Sequence, residues 1–244
     1  MIRTHHKFIP GIFTLLNLFL GVMAIVRTFE NDYSMAAWLI IFAVLADGMD
    51  GKIARWIDQE SRFGFELDSL ADTVSFCVAP ALLVYFSQIN NTGWIAFIPV
   101  FMYIFAGVFR LARFNVMQAG DRSRGYIGLP VPVPAMLVSS GIFLMDLKLF
   151  GQMDVSWFLL MPFLAGLMIS TIPYDWPKLA FHGSIGGKIK SVWIILILFG
   201  MIFWPSYCLF PALFGYILFG IANHFLKINP KAWKCLQESD RSNY

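Results

Sequence analysis

Four aspartates, Asp47, Asp50, Asp68 and Asp72, crowd into 26 residues of an otherwise apolar chain. Asp47 and Asp50 are three apart and Asp68 and Asp72 four apart, so at 3.6 residues per turn each pair lies on one face of a helix. A short turn between the two helices lets the pairs face each other. Carboxylates gathered at the ends of apolar helices repel one another, and each costs on the order of several kcal/mol to desolvate if left unpaired. Hard divalent cations bound through oxygen answer both problems. Two such ions about 4 Å apart clamp a phosphoryl centre and neutralise its charge. Gly48, Gly51 and Gly64 punctuate the same stretch. Each weakens a helix by about 1 kcal/mol relative to Ala, and each lets a backbone or a bulky ligand come close. Arg55 adds a planar fork suited to a phosphate oxygen.

Two simpler roles for these acids compete with metal binding. The aspartates could pair with Lys52, Arg55 and Arg62 to solvate a membrane-surface loop, which accounts for one or two acids but not for two helix-face pairs among three glycines. They could instead line the path of a cation transporter. That role calls for acids deep in the other apolar stretches of the chain, and those carry none at depth.

The elements that position the aspartates are apolar. The chain has 244 residues, 58% of them hydrophobic and 14% charged, against about 25% charged in an average soluble domain. A helix needs roughly 20 apolar residues to cross a bilayer. Stretches near that length fall at about 10–28, 34–56, 66–88, 94–115, 131–150, 155–173, 190–204 and 206–226. The expected fold is an all-α polytopic membrane bundle of about eight transmembrane helices, with six as the fallback count. It forms a single domain over 1–244 and ends in a polar tail at 231–244. The first apolar stretch ends in Ile25-Val26-Arg27-Thr28 without a small-residue cleavage site, which reads as a retained span.

With eight spans, sixteen of the eighteen Lys and Arg fall on the face that holds both termini, and only Arg27 and Lys148 on the other. Positive residues stay inside, so both termini and the aspartates are expected at the cytoplasmic side of the cell membrane. The net charge of +3 gives no reason to expect a nucleic-acid partner. Cys77, Cys208 and Cys235 form no metal or redox motif and read as reduced thiols.

The pattern D-x-x-D-G-x-x-A-R, a short gap, then G-x-x-x-D-x-x-x-D resembles the signature of the CDP-alcohol phosphatidyltransferases. It is filled here by Asp47, Asp50, Gly51, Ala54, Arg55, Gly64, Asp68 and Asp72. Three further segments resemble the members that use serine as acceptor: Leu67 to Phe76 with Val78-Ala79-Pro80, Arg110-Leu111-Ala112-Arg113-Phe114-Asn115, and Gly128-Leu129-Pro130-Val131-Pro132. With Pro10, Thr14 and Asn17 near the start, the likeness covers roughly residues 8–135, and beyond that it is one of hydropathy alone. Gly11 stands where Asn is usual in the family and Cys77 where Gly is usual.

The resemblance implies a six-helix family core, here with two more helices at about 190–226, and a homodimer. It implies two divalent ions, Mg or Mn, on Asp47, Asp50, Asp68 and Asp72, with Asp68 and Asp72 in the chemistry and Asp72 as the general base. The substrates it implies are CDP-diacylglycerol, drawn from the surrounding membrane lipids, and L-serine. The serine hydroxyl attacks the phosphorus that bears the lipid, and CMP leaves. Gly48, Gly51 and Arg55 would face the CDP-lipid, and for Thr14 and Asn17 nucleotide contact and interhelical hydrogen bonding stand as equal readings. Arg110, Arg113, Phe114 and Asn115 would bind serine, with Arg110 on its carboxylate; the competing reading of the arginines is membrane-surface anchoring. Other members use glycerol 3-phosphate, inositol phosphate or choline, and the Arg110 segment is the feature that separates them.

Overall fold

Each long apolar run leaves its backbone no partner in lipid but itself, so a helix is the expected state. The computed structural model describes residues 9–57, 62–120, 128–146, 154–172, 174 and 205–226, and among them every regular element is helical. α1 is Ile9–Phe29 and α2 is Tyr33–Ile57. α3, Arg62–Asp72, runs on through a wide π turn at Thr73–Val78 into α4, Ala79–Val84. A second π turn at Tyr85–Ile89 and a 3-10 segment at Asn90–Ala96 lead to α5, Phe97–Gly120. α6 is Pro132–Asp146, α7 Asp154–Ile169 and α8 Pro205–Leu226.

Helices therefore stand at seven of the eight expected apolar stretches; the one at 190–204 lies outside the described residues, as does the tail at 231–244. Three helical stretches, Gly11–Phe29, Phe63–Ile89 and Gly93–Met117, are long and apolar enough to cross a membrane. Their outer faces fit lipid. Ile12, Leu15, Phe19, Val22 and Val26 lie exposed along α1, and Phe97, Phe101, Phe105 and Phe109 along α5. The four α5 rings stack at 6.1–6.5 Å, one helical turn apart. An apolar surface of this extent is not left to water in a soluble monomer.

α1 packs on α2 and on the α3 region, α2 on α6, α5 on α7, and α6 on α8. The α1–α2 hairpin is closed by a helix-ending turn in which Asn31 takes the left-handed conformation (φ 62°). The Asp32 N–H bonds Arg27 O at 2.9 Å and the Asn31 N–H bonds Thr28 O at 3.1 Å, satisfying carbonyls at the end of α1. Asp32 then caps α2, its Oδ1 accepting from the Met35 N–H at 3.2 Å.

Close packing between α1 and the π turn after α3 fixes the centre of the molecule. Gly21 faces Ser75 so tightly that a Cβ there would stand 2.8 Å from the Ser75 Cα. The approach lets Ser75 Oγ donate to Asn17 O at 2.9 Å. On the opposite side the Tyr103 hydroxyl of α5 donates to Phe76 O at 3.2 Å. An i→i+5 turn misaligns its carbonyls with the usual helical donors, and here a tyrosine from another helix takes up one of them. Cys77, one of the two residues that depart from the family pattern, is fully buried and seated against Gly107 of α5.

Candidate active site

Of the four aspartates expected to face one another across the hairpin, three come together among the described residues. Asp47 lies near the end of α2, Asp68 within α3, and Asp72 at the last residue of α3 before the backbone widens. One carboxylate oxygen from each of the three lies within 4.8 Å of the other two. Asp72 is buried, while Asp47 and Asp68 are partly open. The side chains of Asp50, Gly51 and Arg55 lie outside the described residues.

Asn17 of α1 is fully buried and donates through Nδ2 to Asp72 Oδ1 at 2.9 Å. The two residues are 55 positions apart, and the bond exists because Gly21, one turn further along α1, lets the helices meet. Of the two roles open to Asn17, the interhelical bond is made. The amide's other end, Oδ1, is buried with no hydrogen-bond partner among the described residues. Thr14, one turn earlier, is buried on the same face.

α5 supplies the wall opposite. Arg110 is 5% exposed although it is a charged residue, and it lies near enough to Asp72 for their charges to interact. Its guanidinium stands 5.5 Å from the centroid of the Phe114 ring, one turn on, a cation–π arrangement. Phe114 in turn meets Phe65 of α3 at 6.2 Å. Asn115 ties the same two helices together: its Oδ1 accepts from Ser69 Oγ at 3.0 Å and its Nδ2 donates to Glu66 Oε2 at 3.3 Å.

Arg113 points elsewhere. Its guanidinium donates to Ile169 O at 2.9 Å, to Ser170 O at 3.3 Å and to Met168 O at 3.4 Å. These are carbonyls at the end of α7, where the helix has exhausted its own donors. Gly128 makes room for this clamp: its φ is 82°, and a Cβ there would lie 2.8 Å from Arg113 Nη2. The Gly128 and Leu129 N–H groups bond Ile172 O and Leu167 O at 2.9 and 3.1 Å, docking the Gly128 loop on the same helix end.

Gly48 is exposed, and a Cβ there would meet nothing within 4 Å. Helix packing among the described residues gives no reason for a glycine, and the surface beside Asp47 is open. Ser69 and Ser75 fall within the family-like segment from Leu67 to Phe76 and Glu66 just before it, yet nothing in the sequence alone assigns a role to any of the three. Ser69 and Ser75 each stand three residues from a residue of this site, at Glu66 and Asp72, but serines at such spacing are too common to single out.

The site thus joins a carboxylate cluster of hard oxygen donors, a buried guanidinium beside it and an open glycine surface. The donor set fits Mg or Mn, which prefer oxygen ligands, and the buried Asn17 Oδ1 is one more oxygen at the same place. A family model for CDP-alcohol phosphatidyltransferase matches residues 7–223, so the likeness runs well past residue 135 and includes α6, α7 and most of α8. A CDP-diacylglycerol–serine O-phosphatidyltransferase of Helicobacter pylori is 33% identical over 216 residues, 87% of this chain and 89% of its own length. The protein of that name from Methanocaldococcus jannaschii is 34% identical over 209 residues, 84% of this chain and 90% of its own. An archaetidylserine synthase of Methanothermobacter thermautotrophicus is 34% identical over 134 residues, 54% of this chain and 56% of its own. With its carboxylate cluster in place and the family pattern matched from end to end of the helical part, the chain belongs to the CDP-alcohol phosphatidyltransferase family.

Proposed function

We propose that the chain transfers the phosphatidyl group of CDP-diacylglycerol to the hydroxyl of L-serine, releasing CMP and forming phosphatidylserine. The observation that carries this reading is the buried Arg110 beside the cluster of Asp47, Asp68 and Asp72. A guanidinium held out of water next to a phosphoryl-transfer site is suited to a small acceptor bearing a carboxylate. Membrane-surface anchoring does not require that burial. The names of the relatives support the same acceptor.

Asp47, Asp50, Asp68 and Asp72 would hold the divalent ions, which when bound neutralise charge on the phosphoryl oxygens and on the departing CMP. Asp72 takes the proton of the serine hydroxyl as its oxygen bonds to phosphorus and the bond to CMP breaks. Asn17 holds Oδ1 of that carboxylate and leaves the other oxygen to face the acceptor. Gly48, Gly51 and Arg55 receive the pyrophosphate and nucleotide, with Thr14 beside them. Arg110 binds the serine carboxylate over the Phe114 ring. Arg113, through its grip on the end of α7, and Asn115, through α3, set the walls of the acceptor pocket. Positioning of this kind supplies much of the barrier reduction in a two-substrate transfer.

The proposed setting is a single-domain bundle of eight membrane-crossing helices, with the two C-terminal ones added to a six-helix core. Both termini and the site face the cytoplasm, and two copies pair as a homodimer. The sorting of sixteen of eighteen positive residues to one face supports the orientation, and family membership supports the dimer. The deciding assay is CMP release from CDP-diacylglycerol in mixed micelles with Mn or Mg, comparing serine, glycerol 3-phosphate and inositol phosphate. Serine-dependent release is expected. Release with glycerol 3-phosphate but not serine would reject the acceptor and keep the family, and ion flux in liposomes without CMP release would favour a transporter.

A further inference from the structure

Serine is a zwitterion, and Arg110 is matched to only one of its two charges, the carboxylate. A carboxylate, of the sign that complements the other charge, stands on α3. Glu66 is exposed at the rim where α3 faces α5, and its Oε2 accepts from Asn115 Nδ2. Asn115 is itself anchored, because its Oδ1 accepts from Ser69 Oγ, one turn along the same helix. A primary amide carries two donors and two acceptor sites. Here one of each is spent in bridging Glu66 and Ser69, so Asn115 fixes where the Glu66 carboxylate stands relative to Arg110 and Phe114 on its own helix. Glu66 makes no ion pair among the described residues. An exposed carboxylate aimed by a neutral amide thus stands on α3, and a buried guanidinium stands five residues before that amide on α5.

We infer that Glu66 receives the α-ammonium group of the acceptor and is a specificity-determining residue for an amino-acid acceptor. This role rests on serine being the acceptor and deepens that reading. A carboxylate at this rim attracts an ammonium and repels an acceptor that ends in a phosphate, so one side chain favours serine and disfavours glycerol 3-phosphate or inositol phosphate. Specificity of this kind uses repulsion of the wrong partner as well as attraction of the right one. A hydrogen bond between charged groups is worth enough to change kcat/KM by about tenfold or more.

The test compares serine with 3-hydroxypropionate, which keeps the hydroxyl and the carboxylate and lacks the ammonium. In the full-length enzyme in micelles, E66Q should lower the ratio of kcat/KM for serine to that for 3-hydroxypropionate by about tenfold or more. The change should lie in the KM for serine and not in the KM for CDP-diacylglycerol. E66D, which keeps the charge, should recover part of the ratio. S69A, which releases one anchor of Asn115, should lower it in the same direction by a smaller factor, and it serves should E66Q not fold. An unchanged ratio in E66Q, or in S69A if E66Q does not accumulate, overturns the inference. So does equal loss on both acceptors. A wild-type enzyme without serine-dependent CMP release would fail the functional reading itself and take the inference with it. Serine use by the wild type with an unchanged ratio in the variants would reject only the role of Glu66.

Discussion

Replacing Asn17 by Leu removes its hydrogen bond to Asp72 together with the amide oxygen beside the cluster. Leu keeps the branched outline of Asn although its two methyl groups are bulkier than the amide, and the bond lost at this fully buried site is the one from Nδ2 to Asp72 Oδ1 at 2.9 Å. A hydrogen bond to a charged group is worth about 1.5–3 kcal/mol, and with both partners out of water the upper part of that range applies. If the bond serves to orient Asp72, its loss appears in turnover as about a 40- to 150-fold fall in kcat at saturating serine and CDP-diacylglycerol. Asn17→Asp sharpens the test. It sets a carboxylate against a carboxylate, an unfavourable contact worth about 4 kcal/mol at an effective dielectric of 20, which a bound divalent ion relieves. Asp at 17 should therefore lower thermal stability in chelator and narrow that deficit when Mn is added. The assays are CMP release and thermal unfolding in detergent, with and without metal. Turnover within twofold of wild type for Asn17→Leu would refute the orienting role. An equal stability deficit with and without Mn for Asn17→Asp would refute the placement of the metal site beside this residue.

Asp72→Asn, close in shape and unable to take the hydroxyl proton, should cut turnover by about 100-fold or more while CMP still binds; appreciable turnover would reject Asp72 as the base. Arg110→Ala should raise the KM for serine well above any change in the KM for CDP-diacylglycerol, and equal effects on both substrates would reject its hold on the acceptor. Gly21→Val drives two methyl groups into Ser75 and should cost about 1–3 kcal/mol of stability by overpacking, read as a lower unfolding temperature together with lost turnover. Glu30→Gln breaks the exposed Arg27–Glu30 ion pair of 2.9 Å, and because solvent screens such a pair the unfolding free energy should move by less than about 1 kcal/mol.

The parts of this molecule that can be read from the chain alone are those governed by local rules. Apolar runs near the bilayer length mark helices because lipid offers the backbone no alternative. The spacing of Asp68 and Asp72 puts them on one face because a helix has a fixed period. Two things are not legible. Arg113 is identical in type to Arg110 and one turn away, and nothing local says that one guanidinium turns inward to Asp72 while the other reaches the carbonyls of Met168, Ile169 and Ser170. That choice is made by α7 and by the Gly128 loop, at least 15 residues distant in sequence. The π turn at Thr73–Val78 is equally hidden, since it answers to Gly21 and Tyr103 on other helices rather than to its own residues. The Asn17–Asp72 bond can be named from the sequence only as one of two possibilities, because it depends on how closely α1 and α3 approach.

The π turn carries a consequence for how this chain tolerates change in length. A π turn holds one more residue than the α turn it replaces, so within Thr73–Val78 the chain carries an effective insertion of one residue. Losing it would return the segment to regular helix and rotate everything before it by about 100° relative to everything after it. With Phe76, Cys77 and the α4 residues locked in the core, the rotation would fall on Asp68 and Asp72 and carry both away from Asp47. Substitutions within this segment are thus a matter of packing, whereas a single-residue deletion dismantles the carboxylate cluster without altering one of its members. The length of the stretch between Asp72 and Ala79 is as much a part of the active site as the aspartates.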